Sequence, residues 1–201
     1  LTKEYLEKAK EVSAHSAVLL KNNGVLPLKK GEKVSISGPF AEDNTNILGS
    51  WFGGGRACDA VSFAEGVIKV NGEENTIVDS RGSEKKYRIV DMADTCLIAL
   101  GEERYITGEG KTMPDIEIPQ EQIECVKRAK ILGKKVIAVI FAGRPLAITE
   151  IMPYCDAILW AWHGGTMCGE AMAEIIFGNF NPCGKLTVTF PRSTGQIPIH
   201  Y

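Results

Sequence analysis

The chain has 201 residues, of which 44% are hydrophobic and 24% charged, a balance typical of one globular domain with its own core. A formal net charge of −2 gives no electrostatic basis for binding nucleic acid or an anionic membrane. No apolar run approaches the ~20 residues that span a bilayer. The N-terminus has neither a starting Met nor a signal-peptide pattern, so we expect a fragment or processed piece of a longer protein.

The first half of the chain alternates helical patterns with short apolar runs. Apolar residues at three- and four-residue steps predict a helix over residues 3–22, which Asn23, Gly24 and Pro27 would end. The other elements predicted here are a strand at 34–37, a polar Gly-rich loop at 40–59, a helix capped by Asp59 and running through Val70, a weak strand at 76–78 and a short helix at 85–92.

Stronger apolar strands and helices alternate in the second half. The predicted strands are 95–100, 136–141, 157–161 and 186–190, and the predicted helices are 121–132, 147–152 and 166–177. Continuous apolar strands separated by helices indicate a mainly parallel sheet that is covered on both faces. With right-handed crossovers, the predicted fold class is α/β, a three-layer doubly wound sandwich of about six strands with helices on both faces. Residues 1–201 form a single domain in this interpretation.

Six cysteines are present without a Cys-x-x-Cys pair, so no metal site is expected. Free thiols in a reducing compartment are favoured over a disulfide framework, which favours the cytoplasm but leaves secretion of a full-length protein open. No cofactor is expected, because the chain has no dinucleotide-binding Gly-x-Gly-x-x-Gly and no P-loop. His163 and Cys168 could form a nucleophile pair, but no orienting partner is visible, and a glycine turn with helix-capping chemistry is favoured.

The most informative stretch is the connector at residues 101–120, between a predicted strand and a predicted helix. It is about three times the usual length of ~2–6 residues. It contains five carboxylates and three glycines. Long loops at the carboxyl ends of parallel strands commonly carry the chemistry of such folds. Glu109, which lies between two glycines, is therefore a candidate acid or base, and Glu102, directly after the strand, competes for the same role.

Parallel topology places the loops after the strands along one edge of the sheet. The residues concentrated in these loops are Asp43, Asn44, Trp51, Arg56, Glu102, Glu103, Arg104, Glu109, Arg144, His163 and Glu170. This polar edge suits a sugar-like ligand better than a lipid. The candidate substrate-binding residues are Trp51, Arg56, Glu103 and Arg144. Trp51 is either a stacking platform for a sugar or a partly buried anchor of its loop, and Arg144 either binds substrate or hydrogen-bonds within its loop.

Several ordered motifs carry a family resemblance along nearly the whole chain. They are Gly143-Arg144-Pro145, Trp160-Ala161-Trp162-His163-Gly164-Gly165, the run from Phe177-Gly178-Asn179 through Asn181-Pro182-Cys183-Gly184-Lys185-Leu186, and the closing Gly195-Gln196-Ile197-Pro198. On these motifs the chain resembles the second, α/β-sandwich domain of family 3 glycoside hydrolases, the family of β-glucosidases and β-xylosidases. The resemblance implies a retaining β-glycosidase whose active site lies between two domains.

The same resemblance implies roles for particular residues. In the family an Asp nucleophile lies on a preceding (β/α)8 barrel, and both are absent from this chain. The acid/base is usually a Glu of the second domain in a Gly-Glu-Gly or similar setting, which Gly108-Glu109-Gly110 matches. Many relatives place an Arg shortly after that Glu, whereas residues 111–114 contain none. The choice of Glu109 over Glu102 or Glu103 therefore stays open.

The expected function is that of the second domain of a β-glucosidase, which supplies the acid/base and part of the interdomain site. Its expected partners are a β-linked glucoside or oligosaccharide and a (β/α)8 barrel of the same protein, with no nucleic acid and no membrane. β-Xylosidases and N-acetylglucosaminidases share this domain, so the glycone is open. Two alternatives from other classes are a non-catalytic carbohydrate-binding or structural domain and a flavodoxin-like module, which would give a yellow preparation.

Overall fold

The structure is a computed structural model that describes residues 1–79 and 93–199. Within these residues the helices are α1 (Lys3–Ser16), α2 (Phe63–Asn71), α3 (Gln120–Ile131) and α4 (Cys168–Ile176). The strands are β1 (Val18–Asn22), β2 (Val34–Ser37), β3 (Thr76–Val78), β4 (Thr95–Gly101), β5 (Lys135–Phe141) and β6 (Ala157–Trp160). The predicted helix at 85–92 lies outside the described residues.

The strands form one six-stranded sheet in the order β1-β6-β5-β4-β2-β3. All neighbours pair in parallel except β1, which runs antiparallel to β6 at one edge. The switch in strand order lies between β2 and β4, and ligands of open parallel sheets bind at the carboxyl ends of strands near such a switch. The predicted mainly parallel α/β sheet is thereby confirmed.

Two hydrophobic cores lie on opposite faces of the sheet. Along β4 all seven residues are buried, and their side chains alternate, so that Leu97 and Ala99 join one core while Ile98 and Leu100 join the other. The first core also contains apolar residues of α1, α2 and α4, and the second contains those of α3. This is the three-layer arrangement that continuous apolar strands require, since a parallel sheet must be covered on both faces.

The predicted helix over 3–22 is wrong in its last third. Helix α1 ends at Ser16, Ala17 is extended, and the apolar run after it forms the edge strand β1. Strand β1 ends at Asn22, whose side-chain oxygen accepts hydrogen bonds from the backbone N–H groups of residues 24, 25 and 26. A short apolar run fits a strand as well as a helix, and pairing with β6 decides between them.

The predicted strand at 186–190 is also wrong, because these residues form no strand. Strand β1 already occupies the side of β6 where a further strand would pair. Leu186 and Val188 are 42% and 50% exposed, and the segment is anchored by Phe190, whose ring centroid lies 4.7 Å from that of Trp160. The expected number of strands is therefore reached with a different sixth strand.

Two shorter predictions fail through local turn chemistry. Ala147 forms an isolated parallel bridge with Glu117 instead of starting a helix, and a turn then leads to a short 3-10 helix at Met152–Tyr154. Helix α2 is capped by Ser62 and not by Asp59. The Ser62 hydroxyl accepts a hydrogen bond from the backbone N–H of Glu65, and the Glu65 carboxylate accepts one from the backbone N–H of Ser62. This reciprocal pair is a capping box.

A buried carboxylate joins the three helices on one face of the sheet. Glu170 of α4, with its side chain 3% exposed, accepts Lys10 of α1 at 2.9 Å and Lys69 of α2 at 2.6 Å. Burial, the largest single effect, raises the pKa of Glu170, but the hydrogen bonds and charges of the two lysines together outweigh it and hold the pKa below its usual value. Glu170, predicted to lie among the edge residues, is thus a structural link between helices.

Glu170→Gln is expected to lower the free energy of unfolding at pH 7 by about 2–3 kcal/mol, because both lysines lose their counter-charge and only one of them can still donate to the neutral amide oxygen. Since the folded-state pKa is depressed, this stabilisation is present above the carboxyl pKa of the unfolded chain and disappears as the pH falls through the lower folded-state pKa. Urea unfolding followed by tryptophan fluorescence at pH 7 and near pH 3 measures both effects. The control is Glu7→Gln, which removes an exposed partner of Lys10 and should change stability little.

Candidate active site

Four loops meet at the carboxyl edge of the sheet, after β2, β4, β5 and β6. Two glycines let neighbouring strands approach closely where the loops after β2 and β4 leave the sheet. At Gly38 an added Cβ would lie 2.2 Å from the carbonyl oxygen of Ala99, and at Gly101 it would lie 1.8 Å from that of Phe141. Both have positive φ, 102° and 150°. The loops therefore start from fixed points and lie against one another, as the parallel topology predicts.

Glu102 is buried and held by a two-pronged ion pair. Its two carboxylate oxygens accept hydrogen bonds from Nε of Arg144 at 3.0 Å and from Nη2 of Arg144 at 2.7 Å. The side chain of Glu102 is 4% exposed and that of Arg144 is 21% exposed. Arg144 also donates to the backbone carbonyl of Asp115 at 3.1 Å. This pair ties the loop after β5 to both ends of the loop after β4. Both carboxylate oxygens of Glu102 face the guanidinium, so its geometry is that of an anchor.

Glu109 lies at the exposed tip of the same loop. Its neighbours Gly108 and Gly110 have φ of 138° and 69°, conformations that favour glycine, and they turn the backbone on either side of the carboxylate. An added Cβ on Gly108 would lie 3.3 Å from the hydroxyl oxygen of Ser50, so this tip lies against the loop after β2. Because Glu109 is exposed, a group that approaches from outside the domain can reach its carboxylate.

The base of this loop is joined to the loop after β2 through Arg104. The Arg104 backbone N–H donates to the side-chain oxygen of Asn46 at 3.0 Å, and its Nη1 donates to the carbonyl of Thr45 at 3.3 Å. The guanidinium carbon lies 4.2 Å from the ring centroid of Phe52 and 4.9 Å from that of Tyr105. Arg104 is 9% exposed. Sequence reasoning placed Arg104 at this edge but assigned it no role, and it missed Asn46; no sequence signal marks a side chain that joins two loops.

His163 lies between three of the four loops. An added Cβ on Gly49 would lie 3.1 Å from its Nδ1, and one on Gly143 would lie 2.9 Å from its Cε1 and from the Thr107 hydroxyl oxygen. Burial lowers the pKa of His163, more than the backbone of Glu102 and the charge of Asp43 raise it. The imidazole is therefore neutral at pH 7 and acts as a packing element among the loops.

The His163–Cys168 nucleophile pair is not supported. Cys168 is fully buried at the start of α4, and burial raises the pKa of its thiol to about 11. A thiol in that environment is protonated at neutral pH and inert as a nucleophile. All six cysteines are free thiols in the structure.

The remaining predicted substrate-binding residues lie on the outer surface of the edge. Trp51 is 75% exposed, with Phe52 and Tyr105 also partly exposed nearby in the two loops that Arg104 joins. This exposure fits a stacking platform and not a buried anchor. Arg56 forms an exposed two-pronged pair with Asp59, at 2.8 and 2.9 Å. Glu103 is exposed beside the anchored Glu102.

Residues 1–79 and 93–199 contain no group of three or more His, Cys, Asp or Glu side chains arranged to hold a metal ion. Among the same residues, no helix has the length and apolar character that crossing a membrane requires.

The fold and its polar loop edge define an α/β-sandwich domain with an exposed carboxylate, Glu109, in the long loop after β4. Residues 17–201 match the model of the glycosyl hydrolase family 3 C-terminal domain, and the chain belongs to this family. The earlier resemblance is thereby confirmed.

Individual relatives agree with the family match. The chain is 32% identical to a periplasmic beta-glucosidase of Salmonella typhimurium, over 97% of this chain and 30% of that protein, and 34% identical to a beta-xylosidase of Formosa agariphila, over 100% and 30%. The crystal structure of a beta-glucosidase from Listeria innocua in complex with isofagomine superposes with a TM-score of 0.91 at 34% identity, covering 100% of this chain and 29% of that one. The chain thus spans about 30% of the length of these relatives.

Proposed function

We propose that this chain is the second domain of a retaining β-glycosidase, with a β-glucosidase favoured, and that Glu109 is its general acid/base. One observation carries the proposal. Of the two competing carboxylates in the loop after β4, Glu109 is exposed at the tip between two glycines, whereas both oxygens of Glu102 are engaged by Arg144. Glu103 is exposed as well but has no flanking glycines, so Glu109 is the carboxylate that we favour for a reaction centre outside the domain.

The chemistry requires a second carboxylate. A retaining glycosidase holds two carboxyl groups about 5–5.5 Å apart, one as nucleophile and one as acid and then base. Glu109 would first protonate the leaving oxygen and then remove a proton from the water that releases the sugar. The nucleophile would be an Asp on a (β/α)8 barrel of the same protein, facing this edge. The exposed Trp51 would contribute to the aglycone side of the interdomain site.

The relatives leave the sugar preference open between at least two sugars. They include a beta-glucosidase and a beta-xylosidase, and the domain alone does not separate the two. We favour glucose, since the Listeria innocua beta-glucosidase matches the whole chain in structure. Rates on matched nitrophenyl β-glucoside, β-xyloside and N-acetyl-β-glucosaminide would rank the three.

The test of function compares the full-length protein with the 201-residue chain. The full-length protein is expected to hydrolyse nitrophenyl β-glucoside with retention, releasing the β-anomer first as seen by NMR. The isolated chain is expected to show no measurable hydrolysis, because the proposed nucleophile would lie on the barrel. Turnover by the homogeneous chain would refute the two-domain assignment, and release of the α-anomer first would refute the retaining mechanism.

A further inference from the structure

We propose that Arg104 is a positioning residue that holds the loop of Glu109 and the loop of Trp51 in one fixed arrangement. The proposal rests on the proposed role of Glu109, which lies five positions further along the same loop. Its basis is that, within the described residues, the hydrogen-bond partners and aromatic rings that Arg104 meets belong to these two loops.

The first half of the link is a polar anchor on the loop after β2. Asp43 accepts the backbone N–H of Thr45 at 2.6 Å and that of Asn46 at 2.8 Å, and it also accepts the side-chain amide of Asn46. Asn46 is thereby oriented so that its side-chain oxygen accepts a hydrogen bond from the backbone N–H of Arg104. The Arg104 guanidinium adds a bond to the Thr45 carbonyl. The start of the Glu109 loop is therefore fixed to a turn that is already ordered.

The second half of the link is aromatic. The guanidinium lies over the ring of Phe52, which follows Trp51 directly, and over the ring of Tyr105, whose hydroxyl accepts Nη2 at 2.9 Å. Within residues 1–79 and 93–199, no carboxylate forms an ion pair with Arg104. The charge is stabilised instead by two ring faces and neutral oxygens. A lysine cannot replace this arrangement, because it lacks the planar fork that stacks and donates together.

This link has a consequence for the reaction. Arg104 and the approach of Gly108 to Ser50, whose hydroxyl oxygen would lie 3.3 Å from a Cβ added to Gly108, bracket the segment between them, so the Glu109 loop lies against the loop after β2 at both ends of this segment. Loss of the first point would let Glu109 and Trp51 move independently. Misplacement of a catalytic group by about 1 Å costs up to ~10²-fold in rate. The cost should fall on the step that needs proton transfer to the leaving group.

The test uses the full-length protein with Arg104→Met and Arg104→Lys, and with Arg128→Met on the exposed side of α3 as the matched control. Arg104→Met should lower kcat/KM for glycosides with poor leaving groups roughly 10- to 100-fold, and kcat/KM for activated aryl glycosides much less. Lysine should restore little of the loss. Hydrogen exchange should rise in both loops, at residues 43–56 and 102–112, and Arg128→Met should change neither readout.

The outcomes separate this inference from the proposed function. If Glu109→Ala shows the leaving-group dependence of an acid/base but Arg104→Met affects all substrates equally, or exchange rises in one loop only, the positioning role is wrong. If Glu109→Ala itself lacks that dependence, the proposed function fails instead. Should Arg104→Met not fold, Phe52→Leu with Tyr105→Phe removes one ring face and one hydrogen bond while keeping the cation, and a smaller loss of the same pattern is required.

Discussion

Replacement of Glu109 by alanine in the full-length protein is expected to slow hydrolysis of glycosides with poor leaving groups by about 10²- to 10⁴-fold, the usual contribution of a positioned acid. Glycosides with strongly acidic leaving groups need little protonation, so formation of their glycosyl-enzyme should slow far less. The measurement is a series of aryl glycosides of graded leaving-group pKa, in which the variant should show a much steeper dependence of kcat/KM than the unchanged enzyme.

The second step of the reaction provides an independent check. Without a base to activate water, the covalent intermediate should accumulate on activated substrates, and azide, which needs no base, should restore turnover and form a β-glycosyl azide. Glu117→Ala is the matched control, since Glu117 is an exposed carboxylate of the same loop. Equal losses on all substrates, or no rescue by azide, would exclude Glu109 as the acid/base. A near-normal kcat would favour the alternative of a non-catalytic carbohydrate-binding or structural domain.

The sheet could be predicted from the sequence wherever burial alone dictates the pattern. The runs at Thr95–Gly101 and Lys135–Phe141 are apolar nearly throughout, because both faces of these strands are covered, and their positions were predicted to within one residue. The predictions that failed concern edges and turns. The run after Ser16 could be helix or strand from its residues alone, and only an open side of β6 makes it a strand.

The candidate site, like the sheet, could be predicted from the sequence only in part. Its location at the loop edge followed from parallel topology, and the length and glycines of the loop pointed to Glu109. What the sequence does not contain is the pairing of side chains that are distant along the chain. Glu102 and Arg144 are 42 residues apart, and Arg104 meets a turn that lies 58 residues earlier. Such partners depend on the register of neighbouring strands and on loop conformation, so neither composition nor spacing could identify them.

The Glu102–Arg144 pair allows a test of stability that also bears on the choice between the two carboxylates. Arg144→Met leaves the carboxylate of Glu102 buried without its partner, which is expected to lower the free energy of unfolding by about 3–5 kcal/mol. Urea unfolding at pH 7 measures the loss. Glu102→Gln combined with Arg144→Met should recover part of it, because no isolated charge is then left in the interior.

A matched control separates burial from geometry. Arg56 and Asp59 form a pair with the same two-pronged arrangement, but the Arg56 side chain is 70% exposed, so Arg56→Met should barely change stability. A similar change in the Arg56 and Arg144 variants would show that the Glu102 pair does not anchor the loop. Glu102 would then compete again with Glu109 for the proton. A large loss confined to Arg144→Met would support Glu102 as a fixed support, from which the loop extends to carry Glu109 toward the substrate.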